Sequence, residues 1–244
     1  MESLTLPLRA LLDPVGAVPP LVEGRRWLVP LLVMALATAA SGTALALRLD
    51  ASRLVIPKLQ MTGELAKASE REISEQIDQT QRVGIVAGVA KGVFLVPLEI
   101  LFLAIALKIT AWLIGRKALF ARAFTVAAIT MLPLAVYHLV LAVSAFSQGS
   151  LSPKMVEELV PSSLAAVVHA SPVAARALAT LDFFNLWAAL LMGLGFSSAT
   201  QLAPWKGLLV GVVLYVLFAC AVFIGLPGLM AGGPGGGGPM GGPR

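Results

Sequence analysis

The chain has 244 residues, of which 58% are apolar and 13% charged, with a mean hydropathy of +0.88. That usage lies outside the range of soluble domains and excludes a water-soluble core of this size. The formal net charge of +5 gathers beside apolar segments rather than along a stripe with interleaved aromatics, which points to membrane orientation and away from nucleic acid.

Residues 1–27 form an amino-terminal segment that closes on Arg25, Arg26 and Trp27. The first span is expected over residues 28–47, bounded by Arg48 and Asp50. Twenty residues at about 1.5 Å each reach about 30 Å, the thickness of a hydrocarbon core. A competing reading takes Met1 to Ala46 as an export signal carrying a twin-arginine pair, but the patterned stretch before the pair and the later spans argue against it.

Residues 48–82 change character. Met61, Leu65, Ile73 and Ile77 recur near helical spacing, and Arg71 with Glu75 and Asp78 with Arg82 stand at i,i+4, so the pattern predicts an outward amphipathic helix over about 61–82. The apolar run from Val83 to Ile114 is too long for one straight crossing, which places its membrane part at about 93–115 and its start outside or at the interface. Pro97 should kink it, since proline removes a backbone donor and clashes with the preceding turn.

Further spans are expected at 123–146, which contains Pro133, at 183–202 and at 207–226. Between the third and fourth, residues 147–181 hold Ser152-Pro153 and Ser171-Pro172, each suited to the cap and first position of a short helix over the mouth of the bundle. Residues 228–244 are too poor in side chains to bury anything and read as a disordered Gly/Pro tail. The fold class is therefore all-α, a polytopic bundle of five transmembrane helices with an outward amphipathic helix and short capping helices.

Arg116, Lys117 and Arg122 crowd the second connection with no acid nearby, which assigns that connection to the cytoplasm. Five spans then leave the amino terminus cytoplasmic and the carboxyl terminus outside.

Ionisable residues inside a membrane each cost about 2.5–3.5 kcal/mol near a helix centre and so need partners. Glu99 lies about 9 Å below the outer start of its span and His138 about 12 Å below the outer end of the next, from 1.5 Å per residue. With Tyr137, Asp182 and Asn185 they form a candidate intramembrane polar cluster, in which a carboxylate beside a histidine would be proton-sensitive. The plain alternative is a neutral Glu99, a packed His138, and an Asp182 that caps its helix. Gly84, Gly88 and Gly92 form a doubled G-x-x-x-G, and Gly207 with Gly211 another, spacings that let two backbones approach closely in lipid, inside the chain or between chains.

No phosphate-binding loop, H-E-x-x-H pair, nucleophile elbow or cysteine pair is present, so the reading is non-enzymatic and without cofactor. His138 and His169 fall in different segments without a third ligand, which assigns no metal. Cys220, the single cysteine, lies in the last apolar run and allows no intrachain disulfide.

LLDPVGAVPPLVEGRRWLVPLLV, ARAFTVAAITMLPLAVYHLVLAV and LDFFNLWAALLMGLGF resemble the opening, third span and fourth span of bacterial Yip-type proteins, a likeness that covers about residues 10–227. It implies a five-helix membrane bundle with a cytosolic amino terminus. Eukaryotic members resemble adaptors that bind Rab-type GTPases, but their Asp-Leu-Tyr-Gly-Pro signature is absent here, so GTPase binding is not carried over. The alanine-, glycine- and leucine-rich composition points to a bacterial cytoplasmic membrane. The expected function is a scaffold or adaptor that works by lateral self-association or by holding a membrane-protein partner. A small transporter or proton-coupled permease using the Glu/His/Asp cluster is the alternative.

Overall fold

The computed structural model describes residues 2–166, 168, 178 and 181–220. Among them the chain is all-helical, with two isolated bridges and no strand. Four helices are long and apolar enough to cross a membrane: residues 28–48, 70–113, 120–147 and 183–200. The expected fifth span and the Gly/Pro tail run past residue 220, and His169 and Ser171-Pro172 also lie outside the described residues.

Two helices precede the first span, α1 (Glu2–Leu12) and α2 (Pro14–Glu23), in a segment to which the sequence reading assigned none. Asp13 joins them. Its carboxylate accepts the Gly16 N–H at 3.0 Å and pairs with Arg9 at 2.9 Å, and these two partners hold its pKa below the ordinary carboxylate value. Pro14 at the first position of α2 surrenders a donor that has no partner there anyway. Ala17, Val18, Leu21 and Val22 are fully buried. Their helix is wedged against α7 (Phe120–Thr130) and α10 (Phe183–Thr200), so the amino-terminal segment is part of the bundle.

The first span is α3 (Leu28–Arg48), whose terminal Arg48 guanidinium lies over the Phe146 ring at 5.8 Å. Beyond it, α4 (Ser52–Thr62) stops at Gly63, which supplies the left-handed φ of 70° that ends the helix. A new helix, α5 (Glu70–Ala90), starts from a capping box in which Ser69 N–H donates to Glu72 at 2.7 Å and Glu72 N–H donates to Ser69 Oγ at 3.3 Å. The amphipathic helix expected over 61–82 is thus two helices with a break at 63–69, because a glycine stop and a serine start outweigh the apolar period between them. Of the two charge pairs, Arg71 and Glu75 meet at 2.9 Å on an exposed face, where such a pair adds little.

α5 runs without interruption through a π-helical turn (Lys91–Leu95) into α6 (Val96–Leu113). The wide turn sits directly ahead of Pro97, where the missing proline N–H loosens the hydrogen-bond ladder. α5 already meets α3 at Gln81, whose amide donates to the Leu47 carbonyl at 3.4 Å, some way ahead of the start expected at residue 93. A Cβ added at Gly84 would lie 3.1 Å from Ala46, one at Gly88 2.6 Å from the Gly42 backbone, and one at Gly92 2.4 Å from the Ala35 carbonyl. Residues 84–92 therefore lie along α3, where only glycine permits the backbones to touch.

The third span bends at Met131, between α7 and α8 (Leu132–Ser147), two residues before Pro133. The described part of the connection between α8 and α10 is tied down by backbone hydrogen bonds. Leu151 N–H donates to Arg48 and Asp50 N–H to Leu151, while Phe183 N–H donates to Ser162 and Leu164 N–H to Leu181. It carries α9 (Pro153–Glu158), capped by Ser152, and a 3-10 turn at Leu164–Ala166. α10 ends at Gln201, φ 55°, and α11 (Pro204–Ala219) packs back along it. Gly207 and Gly211 meet α10 at Gly193 and Ala189, with added Cβ atoms 2.4 and 2.6 Å from those carbonyls.

Replacing Gly88 with alanine should therefore force α3 and α5 apart and cost about 1–3 kcal/mol, read as a lower unfolding temperature in detergent. Gly149→Ala, at a site with no atom within 4 Å, should leave it unchanged. Equal melting of both variants would show that the backbone contact does not stabilise the bundle.

Candidate functional site

A crevice of about 640 Å³ lies between α6 and α11, with α7, α8 and α10 as its floor. Its walls are apolar, from Phe102, Leu103, Leu134, Met192, Leu214 and Phe218. Into it face four polar side chains: Glu99, Asn185, Tyr215 and Thr130. Glu99 is exposed, Asn185 and Tyr215 half-buried, and Thr130 buried with its hydroxyl donating to the Val126 carbonyl at 2.9 Å. Glu99 makes no ion pair with any described residue.

The π turn explains why Glu99 is there. In a regular α-helix, residue 99 would follow Gly92 by seven positions and return to nearly the same face, toward α3. One widened turn re-phases everything after it by about 100°, the rotation of a single residue. Glu99 is thereby turned off the glycine face and into the crevice.

His138 is engaged elsewhere. Its Nδ1 lies 2.8 Å from the Ser41 hydroxyl of α3, and that hydroxyl donates to the Thr38 carbonyl at 3.0 Å. With the single hydroxyl proton on the Thr38 carbonyl, Oγ accepts from Nδ1–H, the tautomer that leaves Nε2 as an acceptor. Thr38 Oγ1 is buried beside this chain without a protein partner. Tyr137 stacks edge-on against both His138 and Phe184, at centroid distances of 5.5 and 5.6 Å.

Asp182 is the N-cap of α10. Its carboxylate accepts the N–H groups of Phe184 at 2.9 Å and Asn185 at 3.1 Å, and the Ser162 hydroxyl of the connection from α8 donates to its other oxygen. This anchors the connection to the start of the fourth span, where an anion suits the positive end of the helix.

Of the five residues grouped from the sequence, Asp182 and Asn185 meet at the start of α10, and Tyr137 packs on Phe184 between them in sequence. Glu99 and Asn185 share the crevice, Tyr137 and His138 fill the α3–α8–α10 junction, and Asp182 closes a helix end. Glu99 and His138 form no ion pair, so the carboxylate–imidazole couple is not made. Tyr215 and Thr130 in the crevice, and Ser41 and Thr38 beside His138, were not anticipated. The i,i+3 spacing of Thr38 and Ser41 on an otherwise apolar span was the available signal for the latter pair. The packing glycines 84, 88, 92, 207 and 211 all lie in contacts within the chain.

Ser41→Ala strands the Nδ1–H of His138 and should cost about 1–3 kcal/mol, whereas adding His138→Leu to it should cost less than the sum of the two single changes. Thermal unfolding in a mild detergent reads all of these, and strict additivity of the Ser41 and His138 changes would remove the bond from the account.

The match to known proteins fits this architecture. The family model of the Yip1 domain aligns with residues 8–226, from within α1 through all four long apolar helices and the whole of α11. No curated protein and no solved structure matches the chain. With nine-tenths of its length inside that match and an all-helical build of membrane-length apolar helices, the chain belongs to the Yip1 domain family of membrane proteins.

Proposed function

We propose that this Yip1-domain protein is a non-enzymatic scaffold that seats the transmembrane helix of a membrane-protein partner in the crevice between α6 and α11. The carrying observation is Glu99, a carboxylate with no ion pair at membrane depth, exposed in an apolar cleft. Such a group is expensive in hydrocarbon and gains most from a donor side chain on a neighbouring helix. Asn185 adds both a donor and an acceptor on the opposite wall. The glycine stripes support the same reading by exclusion, since each already contacts a helix of the same chain and offers no free face for association.

The proposed setting is a bacterial cytoplasmic membrane, with the amino terminus and the Arg116–Lys117 connection inside and the carboxyl terminus beyond a fifth crossing. The charge of that connection supports this orientation.

A photo-reactive residue at Phe102 or Leu217, on the two crevice walls, should crosslink one membrane protein in native membranes. Leu214→Trp, which fills the cleft, should reduce the yield severalfold, and Glu99→Leu should do the same. A crosslink that survives both changes would reject the crevice as the docking place. Solute flux that depends on Glu99 in reconstituted vesicles, with no crosslinked partner, would replace the scaffold by a permease.

A further inference from the structure

At the other end of α6 lies a second concavity of about 550 Å³, formed where the helix turns into α7. Gly115, with φ 70°, ends α6, and Arg116 N–H folds back onto the Ala111 carbonyl at 2.8 Å. That reversal brings Arg116 and Lys117 beside Lys108, three residues of one charge in one pocket. Lys108 lies on the apolar helix but extends its ammonium to the Ala118 carbonyl at 3.3 Å, so its charge reaches the rim. All three side chains are exposed, and the ion pairs among the described residues lie elsewhere.

Two independent features mark the pocket for an anion held at a lipid surface. The first is the amino terminus of α7, which has no side-chain cap and no acid in its first turn, so its positive dipole end is left uncompensated beside Phe120 of the pocket wall. The second is the apolar floor. Trp112, 74% exposed, sits where an interfacial aromatic belongs, and Ile105 and Ile109 continue from it up α6 as a strip on which a hydrocarbon chain can lie. Soluble anions have no use for that strip.

We propose that this pocket binds an anionic phospholipid, with the phosphate among Lys108, Arg116 and Lys117 and an acyl chain along Ile105 and Ile109. The site is separate from the α6–α11 crevice and stands whether or not a partner helix occupies it. Basic pockets between membrane helices hold acidic headgroups in this way, each cation near the surface strengthening binding about fivefold. The bound lipid would fasten the α6–α7 turn to one leaflet and couple the tilt of both helices to the acidic-lipid content of the membrane.

The test uses the full-length chain in mild detergent, titrated separately with phosphatidylglycerol, phosphatidylcholine and inorganic phosphate, with bound lipid counted by native mass spectrometry. Phosphatidylglycerol should bind at least tenfold more tightly than phosphatidylcholine, and inorganic phosphate should not displace it at equal concentration. Lys117→Gln should weaken phosphatidylglycerol binding about fivefold and leave phosphatidylcholine unaffected, and adding Lys108→Gln and Arg116→Gln should abolish the preference. Lys206→Gln, which removes a cation at the start of α11 outside the pocket, should change nothing. Equal binding of the two lipids, an undiminished preference in the Lys117 variant, an equal loss in the Lys206 variant, or displacement by phosphate alone would each overturn the proposal. The single Lys117 change keeps the test decisive if the triple variant does not fold.

Discussion

Helices in a bilayer gain nothing from hiding apolar side chains from one another, because the surrounding lipid is equally apolar. What holds this bundle together is close backbone contact, and that is possible only where side chains are absent or very small. Gly42 against Gly88 and Gly193 against Gly207 are two places where glycine meets glycine across a helix pair, one joining α3 to α5 and the other α10 to α11. The remaining architecture hangs from these two seams. α3 also packs along α8, where Ala44 meets Ala142 and Ala145 and the Ser41 hydroxyl meets His138.

The seam at Gly84, Gly88 and Gly92 has a consequence for the helix that follows it. Residues 84–92 must keep the glycine face on α3, yet Pro97 interrupts the ladder just beyond, and the π turn at 91–95 accommodates both. The resulting change of phase turns Glu99 from the packed interior to the α6–α11 crevice. A packing constraint and a missing N–H together decide where Glu99, the one carboxylate of α6, points.

The two ends of the bundle are finished differently. At one end, the irregular connection between α8 and α10 is stapled by backbone bridges and by Asp182, whose two oxygens accept from the first N–H groups of α10 and from the Ser162 hydroxyl. On the other side, the helical pair α1–α2 fills the space under α7 and α10 with small and branched residues. The proline-rich stretch LLDPVGAVPP is thereby a packed element, with Asp13 and Pro14 forming a corner one residue long.

How much of this the residues disclose on their own follows from what each signal measures. Run length and apolar content report the solvent, so the all-helical membrane character and the kinship to the Yip1 domain family were legible without coordinates. Capping residues were legible too, but only when given their due weight: Gly63 and Ser69 break a helix that the apolar period alone would continue. The polar cluster was not legible, because residue spacing along a helix gives depth and leaves rotation open. Glu99 and His138 were placed at similar depths from helical rise alone, and a single π turn with its shift of about 100° is enough to send them to different neighbours. Depth is a property of one chain segment and can be counted along it; which side chains meet depends on the angle of each helix about its own axis, which only the packing of all of them against one another sets.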